Sequence, residues 1–285
     1  MDAEETLRVT AADGRTLAGA SFGPDAGRPV LFVAGAATSK RMAFGLDLLA
    51  TRNVRLLTMD RAGIGGSTPD PHRTVASTAS DYREFLTEVL GEEASRTPVV
   101  ANSQGSVFAL KMAAVGDVHS LTLVSPADEI AHPAIHSMLP AAATTLADLA
   151  GTAPEKAAEI LRGLSAESME KMVLDNSDDA DAAYYRSEPF HTRYRHALDE
   201  GFAHHSAGYV RDTMLAMRPW HVDFTAISCP VHILFGVHDR AHSPDHGATL
   251  ATRIPGASRE VLDDAGGALL WTHAAHVFDT AVKPQ

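Results

Sequence analysis

Ser103 is the residue of this sequence whose surroundings say most about chemistry. It stands in Pro98-Val99-Val100-Ala101-Asn102-Ser103-Gln104-Gly105-Ser106: an apolar run that suits a buried strand, a small-X-Ser-X-small turn, then a stretch with helical spacing. A serine on so sharp a strand-to-helix turn crowds the residues two positions away on either side, so both must be small, and here they are Ala101 and Gly105. The turn presents the hydroxyl as a nucleophile, but a serine hydroxyl is weak at its own pKa and needs a base to take its proton. His238, His242 and His246 recur every four residues, as do His132 and His136. That spacing suits a metal only on a continuous helix; Pro244 argues against the first, Pro133 marks a helix start in the second, and neither set brings a third ligand, so no metal is expected. Cys229, the single cysteine, has no base motif beside it and is expected as a small buried filler. Asp175 to Asp181 (DNSDDAD) lacks the ligand spacing of a calcium loop and reads as a solvated turn between two helices.

The elements that must position Ser103 alternate along the chain. Thr6 to Val9 and Thr16 to Ser21 flank the turn Ala11-Ala12-Asp13-Gly14 and predict an opening hairpin. Six short apolar runs follow: Pro29–Val33, Val54–Met59, Pro98–Ala101, Leu121–Val124, Val231–Phe235 and Glu260–Leu262. Rich in Val, Leu and Ile, they suit strands buried on both faces of a parallel sheet. Helical spacing over Tyr82–Leu90 and Ser106–Val115 lies between them, so the class is α/β. From Ser125 to Trp220 the alternation stops, and Ala, Leu and Met recur at helical spacing with no strand run, which predicts an inserted helical cap.

A chain of 285 residues with 45% hydrophobic and 21% charged residues can bury a sizeable core in one large domain. Its net charge of -12, with no basic stripe, excludes a phosphate-tracking surface, so nucleic acid is not an expected partner. The acidic start Met1-Asp2-Ala3-Glu4-Glu5 is unlike a secretory signal, and no eighteen-residue apolar run occurs; a cytoplasmic protein without membrane contact is expected.

Asp60-Arg61-Ala62-Gly63-Ile64-Gly65-Gly66-Ser67 follows the Val54–Met59 run as a glycine-rich turn. It has no matching acidic residue or Lys-Ser pair for a dinucleotide or phosphate, and its glycines read as structural. With the serine turn and Val33-Ala34-Gly35-Ala36-Ala37, it resembles the α/β-hydrolase superfamily, in particular its small, capped bacterial esterase, haloperoxidase and aminopeptidase-like members. The resemblance runs over nearly the whole chain. It implies a mostly parallel central sheet flanked by helices, with residues 1–125 and 221–285 as the core and 126–220 as the helical cap. It implies Ser103 as nucleophile and the backbone N–H groups of Ala36 and Gln104 as the oxyanion hole. Ala34 stands where the family usually has histidine, a change that spares a backbone donor. It also implies Asp239, at the end of Val231-His232-Ile233-Leu234-Phe235-Gly236-Val237-His238-Asp239, as the acid that orients an imidazole.

The family's histidine follows the last strand in a Gly-His pair. Here Val261-Leu262-Asp263-Asp264-Ala265-Gly266-Gly267-Ala268-Leu269 matches that loop, and Gly267, 267 − 239 = 28 residues after the acid, occupies the histidine position. His273 and His276 come six and nine residues later, roughly 9 to 13 Å further along a helix axis. His238 neighbours the acid but should point away from it. Loss of a general base removes a factor of about 10²–10⁴, so the sequence predicts severely impaired ester hydrolysis. Three readings stand open: a serine hydrolase of small esters, lactones or thioesters lacking one part, by natural loss or an introduced substitution; a cyclase, lyase or isomerase using the same pocket; and a non-catalytic small-molecule binder. Met138, Leu139, Met214, Met217 and Trp220 are expected either to line an apolar cleft over Ser103 or to pack against one another. The expected partner is a small hydrophobic organic molecule, with no cofactor.

Overall fold

Val30 and Phe32 face one side of the central sheet, and Leu31 and Val33 the other. Because both sides are apolar, both must be covered, and helices cover them. The computed structural model describes residues 5–282. The first four residues of the acidic start lie outside that range.

Eight strands form one sheet: β1 (Glu5–Thr10), β2 (Thr16–Phe22), β3 (Arg28–Val33), β4 (Val54–Met59), β5 (Val99–Ser103), β6 (Leu121–Pro126), β7 (Val231–Gly236) and β8 (Ser258–Leu262). Their order is β1-β2-β4-β3-β5-β6-β7-β8. β1 and β2 pair antiparallel, as do β2 and β4, and all other pairs are parallel. Thirteen helices are described: α1 (Leu49–Arg52), α2 (Val75–Leu90), α3 (Gly105–Ala114), α4 (Pro133–Met138), α5 (Ala141–Thr152), α6 (Pro154–Arg162), α7 (Ala166–Asp175), α8 (Asp179–Tyr185), α9 (Phe190–Gly201), α10 (Ala207–Met217), α11 (Ala248–Arg253), α12 (Leu269–Thr272) and α13 (Ala274–Ala281). α4 to α10 all fall between β6 and β7. The hairpin and all six apolar runs are strands, although β8 is an edge strand with exposed residues rather than one buried on both faces. No described helix is long and apolar enough to cross a membrane.

The strand order positions the site. From β3 the chain steps outward to β4, then crosses back to β5 on the other side of β3. Loops leaving the carboxyl ends of β3 and β5 therefore diverge and open a crevice at the point of reversal. Val33 pairs with Ala101, which sets the segment after β3 beside the turn at Ser103.

One buried network ties that crevice to the helices between β6 and β7. The Arg61 guanidinium, 1% exposed, donates to Asp212 on α10 (Nε to Oδ2, 2.6 Å) and to the carbonyls of Ala34 and Gly35 (2.8 Å each). Arg73 meets the other oxygen of Asp212 at 2.6 Å and donates to Gly208 O at 3.0 Å. Burial opposes the charge on Arg61, but Asp212 prevails and raises its pKa. Two guanidinium groups share one carboxylate, and carbonyl dipoles supply the rest of the compensation. The turn after β4, glycine-rich in sequence, thus also carries the arginine that fixes the segment after β3. Asp212→Ala would leave two buried cations uncompensated, and urea unfolding is expected to show a loss of about 3–5 kcal/mol; a change within about 0.5 kcal/mol would contradict this assignment.

Candidate active site

Ser103 has φ +49°, the left-handed region that non-glycine residues avoid at a cost of order 1–3 kcal/mol. The strain comes from the turn that joins β5 directly to α3. Gly105 shows how tight that turn is: a Cβ there would lie 2.3 Å from Val33 O and 2.5 Å from Ala34 O, backbone atoms with no freedom to retreat. Asn102 braces the strand end by donating to Val124 O at 2.8 Å. Among the described turn and loop bonds, none uses the N–H of Ala36 or Gln104. Gln104 stands at the amino end of α3, where N–H groups lack intrahelical partners.

Ser103 opens into a cavity of about 430 Å³. Ala36, Asp239 and Gly267 line it as well, whereas Gln104 does not. Leu139 also lines it. Four other expected pocket residues do not. Met138 ends α4 and is 44% exposed. Met214 is buried in the core beneath the helices between β6 and β7, and Met217 packs against that core. Trp220 belongs to the core on the opposite sheet face, its indole N–H donating to Ala216 O at 2.8 Å. The apolar lining comes instead from Met42, Met169, Met172, Val173 and Trp271, with the rings of Tyr185 and Tyr194.

The Asp239 carboxylate has a partner. It accepts from the backbone N–H groups of Ala241 (3.0 Å) and His242 (3.3 Å), a local turn that swings the His242 ring onto the same carboxylate. His242 Nδ1 lies 3.0 and 2.9 Å from the two Asp239 oxygens. Its side chain is 16% exposed and lines the cavity with Ser103. Burial alone would raise the Asp239 pKa, but the facing imidazole, with the hydrogen bond from Ala241 N, holds it below the usual carboxylate range. For His242 burial opposes the charged ring, and the Asp239 carboxylate, with Asp181, pushes the pKa above 6.5. The three other histidines weighed in sequence stand away from this pair: His238 is exposed, His273 faces Asp264 (3.4 Å), and His276 faces Glu260 (3.1 Å). His246 reaches only the backbone, at Asp239 O (3.1 Å).

The space beside Gly267 is occupied by Asp181. This residue, read in sequence as part of a solvated acidic turn, sits on α8 and is 4% exposed. The Asp178 side chain caps α8 at Asp181 N (2.8 Å), which fixes the start of the helix and turns Asp181 inward. Its carboxyl accepts from Ala268 N at 3.2 Å and from Gly267 N, and it lines the cavity. A Cβ on Gly266 would meet Asp181 Oδ2 at 2.3 Å; one on Gly267 would lie 3.7 Å from that oxygen and 3.4 Å from Asp239 Oδ1. At 267 a Cβ makes only ordinary contacts, and its nearest neighbours are the Asp239 and Asp181 carboxylates.

Comparison with known proteins agrees with this architecture. A family model described as alpha/beta hydrolase family matches residues 30–282. The structure is similar to a hydrolase from Pseudomonas aeruginosa PA01 (TM-score 0.71, 20% identity, 98% of this chain and 99% of that one). It is similar to a thermophilic esterase from Thermogutta terrifontis (0.70, 21%, 97% and 96%) and to an enol-lactonase from Burkholderia xenovorans LB400 (0.66, 20%, 96% and 98%). Among curated proteins, none matches the sequence.

Two measurements check the geometry. In an NMR titration the His242 ring is expected to titrate above 6.5, and Asp239→Asn to bring it down, because the carboxylate that favours the cation is gone while burial remains. Gly267→His is expected to lower stability by about 1–3 kcal/mol through overpacking. Adding Asp181→Ala should recover most of that loss; additive losses in the double variant would show that the two side chains do not compete for one space.

Proposed function

The chain belongs to the alpha/beta hydrolase family, and on that premise we propose that it is a serine hydrolase whose base has moved onto the acid loop. In this reading Ser103 is the nucleophile, His242 the general base and Asp239 its orienting acid. The observation that carries it is the contact of His242 Nδ1 with Asp239, 2.9 Å, on the wall of the cavity that holds Ser103. An imidazole whose Nδ1–H is given to a carboxylate leaves Nε2 to accept a proton, the arrangement that activates serine elsewhere.

The chemistry follows from that tautomer. Nε2 takes the Ser103 proton as Oγ bonds to the acyl carbon, and the Ala36 and Gln104 N–H groups hold the oxygen that gains charge. Collapse of this intermediate expels the alkoxide, which leaves with the proton from Nε2. Water, deprotonated by the same imidazole, then releases the acid from Ser103. Two of the similar structures are an esterase and an enol-lactonase, and the mixed aromatic and aliphatic lining favours the same substrate class: small hydrophobic esters or lactones. No cofactor enters the scheme.

Hydrolysis of short-chain p-nitrophenyl esters tests the assignment. Ser103→Ala is expected to reduce turnover to background, and His242→Gln to lower kcat/KM by about 10²–10⁴. For the native chain kcat/KM should rise with pH through an apparent pKa above 6.5, since only the neutral ring accepts a proton. Full activity in His242→Gln would remove His242 from the mechanism. A native chain with no turnover on any ester or lactone would favour the non-hydrolytic enzyme or the binder.

A further inference from the structure

We propose that Asp181 is a specificity-determining residue, whose carboxyl receives a hydrogen bond from a hydroxyl or N–H group of the substrate in the cavity it lines together with Ser103. The substrate class is then narrower than a hydrophobic ester: it carries a hydrogen-bond donor on an otherwise apolar body. The inference does not rest on the hydrolase reading, because it concerns binding.

The geometry points to recognition rather than to packing. The carboxyl arrives from α8, an element separate from the sheet, and ends 4% exposed on the cavity wall. A carboxylate offers about four acceptor positions. The backbone N–H groups of Gly267 and Ala268 fill two, and among the described residues no side chain donates to the others. The two N–H donors fix the rotamer, so the remaining acceptor positions have a set direction. An acceptor on the cavity wall that no protein side chain meets is open to a donor from the ligand. The loop is shaped for this group: Gly266 cannot carry a Cβ without meeting Asp181 Oδ2 at 2.3 Å.

The neighbouring charges agree with a donor as the ligand. The groups that face Asp181 are Asp178 on its own helix, Asp239 and His242 on the acid loop, and the phenol of Tyr185. Asp239 and His242 engage each other, which leaves Asp181 as the acceptor facing the ligand. Burial first, and then the charges of Asp178 and Asp239, favour the protonated carboxyl, while the two N–H donors favour the anion. A second anion placed there would be repelled, so substrates with a carboxylate at this point should be excluded.

Equilibrium binding separates this proposal from turnover. The probes are benzamide, its 2-, 3- and 4-hydroxy isomers and the matching methoxy compounds, titrated calorimetrically into the full chain. At least one hydroxybenzamide is expected to bind at least ~10-fold more tightly than benzamide, within the span of one hydrogen bond to a charged group. Asp181→Leu should remove that preference. Asp181→Asn must turn its carbonyl to the N–H groups of residues 267 and 268 and its NH₂ to the cavity, so its preference should shift to the methoxy isomer. If Asp181→Leu does not fold, the Asn variant decides alone. Ser103→Ala should keep the native preference. No preference in the native chain, or an unchanged one in the Asn variant, overturns the proposal. Esters left intact by a chain that shows this preference would count against the hydrolase reading only.

Discussion

The buried charge of Arg61 is the constraint on which the site depends. A guanidinium that has lost water must find partners for its N–H groups, and here partners come from four parts of the chain, the Tyr82 hydroxyl on α2 among them at 3.5 Å. Ala34 and Gly35 offer the carbonyls after β3, Asp212 reaches in from α10, and the Phe108 ring on α3 lies 5.2 Å from the guanidinium carbon. Satisfying one side chain therefore fixes the segment after β3, the helix behind Ser103 and α10 together. The nearby Asp60 does the same on a smaller scale, accepting from Lys40 N, Lys40 Nζ and Gly66 N.

Upon that frame the Ser103 turn carries its positive φ. Local strain of this kind persists only where surrounding structure over-determines it, and the close approach of Gly105 to Val33 O and Ala34 O is part of that surrounding. The loop that carries Asp239 is anchored separately. Ser243 donates to Asp128 beyond β6, and Arg253 on α11 pairs with Glu129 in the same segment. Ser103 and Asp239 thus sit on different supports across one cavity, and what lies between them is set by the two short loops at 239–242 and 266–268.

Much of this was legible in the sequence for a local reason. Strands buried on both faces need continuous apolar runs, and a serine on a tight turn needs small residues on both sides, so β3 to β7 and Ser103 were readable from neighbours alone. Asp239 was readable as the end of such a run. Helical spacing, the relation that the sequence offers for His242, does not reveal its contact with Asp239. Its contact depends on a turn in which the Asp239 carboxylate caps the following N–H groups, and an Asp followed two and three residues later by such donors was the available signal. Asp181 was hidden for a tertiary reason: it becomes buried only when α8 docks on the loop at 266–268. The paired glycines there were visible, but were read as an empty place rather than as space for a side chain from elsewhere. The methionines of α10 failed as pocket residues because helical spacing shows that a face is apolar without showing which surface it meets.

The central claim is that the imidazole paired with Asp239 activates Ser103. The most direct measurement is the rate at which a fluorophosphonate labels Ser103, located by peptide mass, in the native chain and in His242→Gln. Such a reagent needs an activated serine and no substrate-specific contact. The account predicts labelling confined to Ser103 in the native chain and slowed at least ~100-fold in the variant. Equal rates in the two proteins, or no labelling of Ser103 in the native chain, would contradict it.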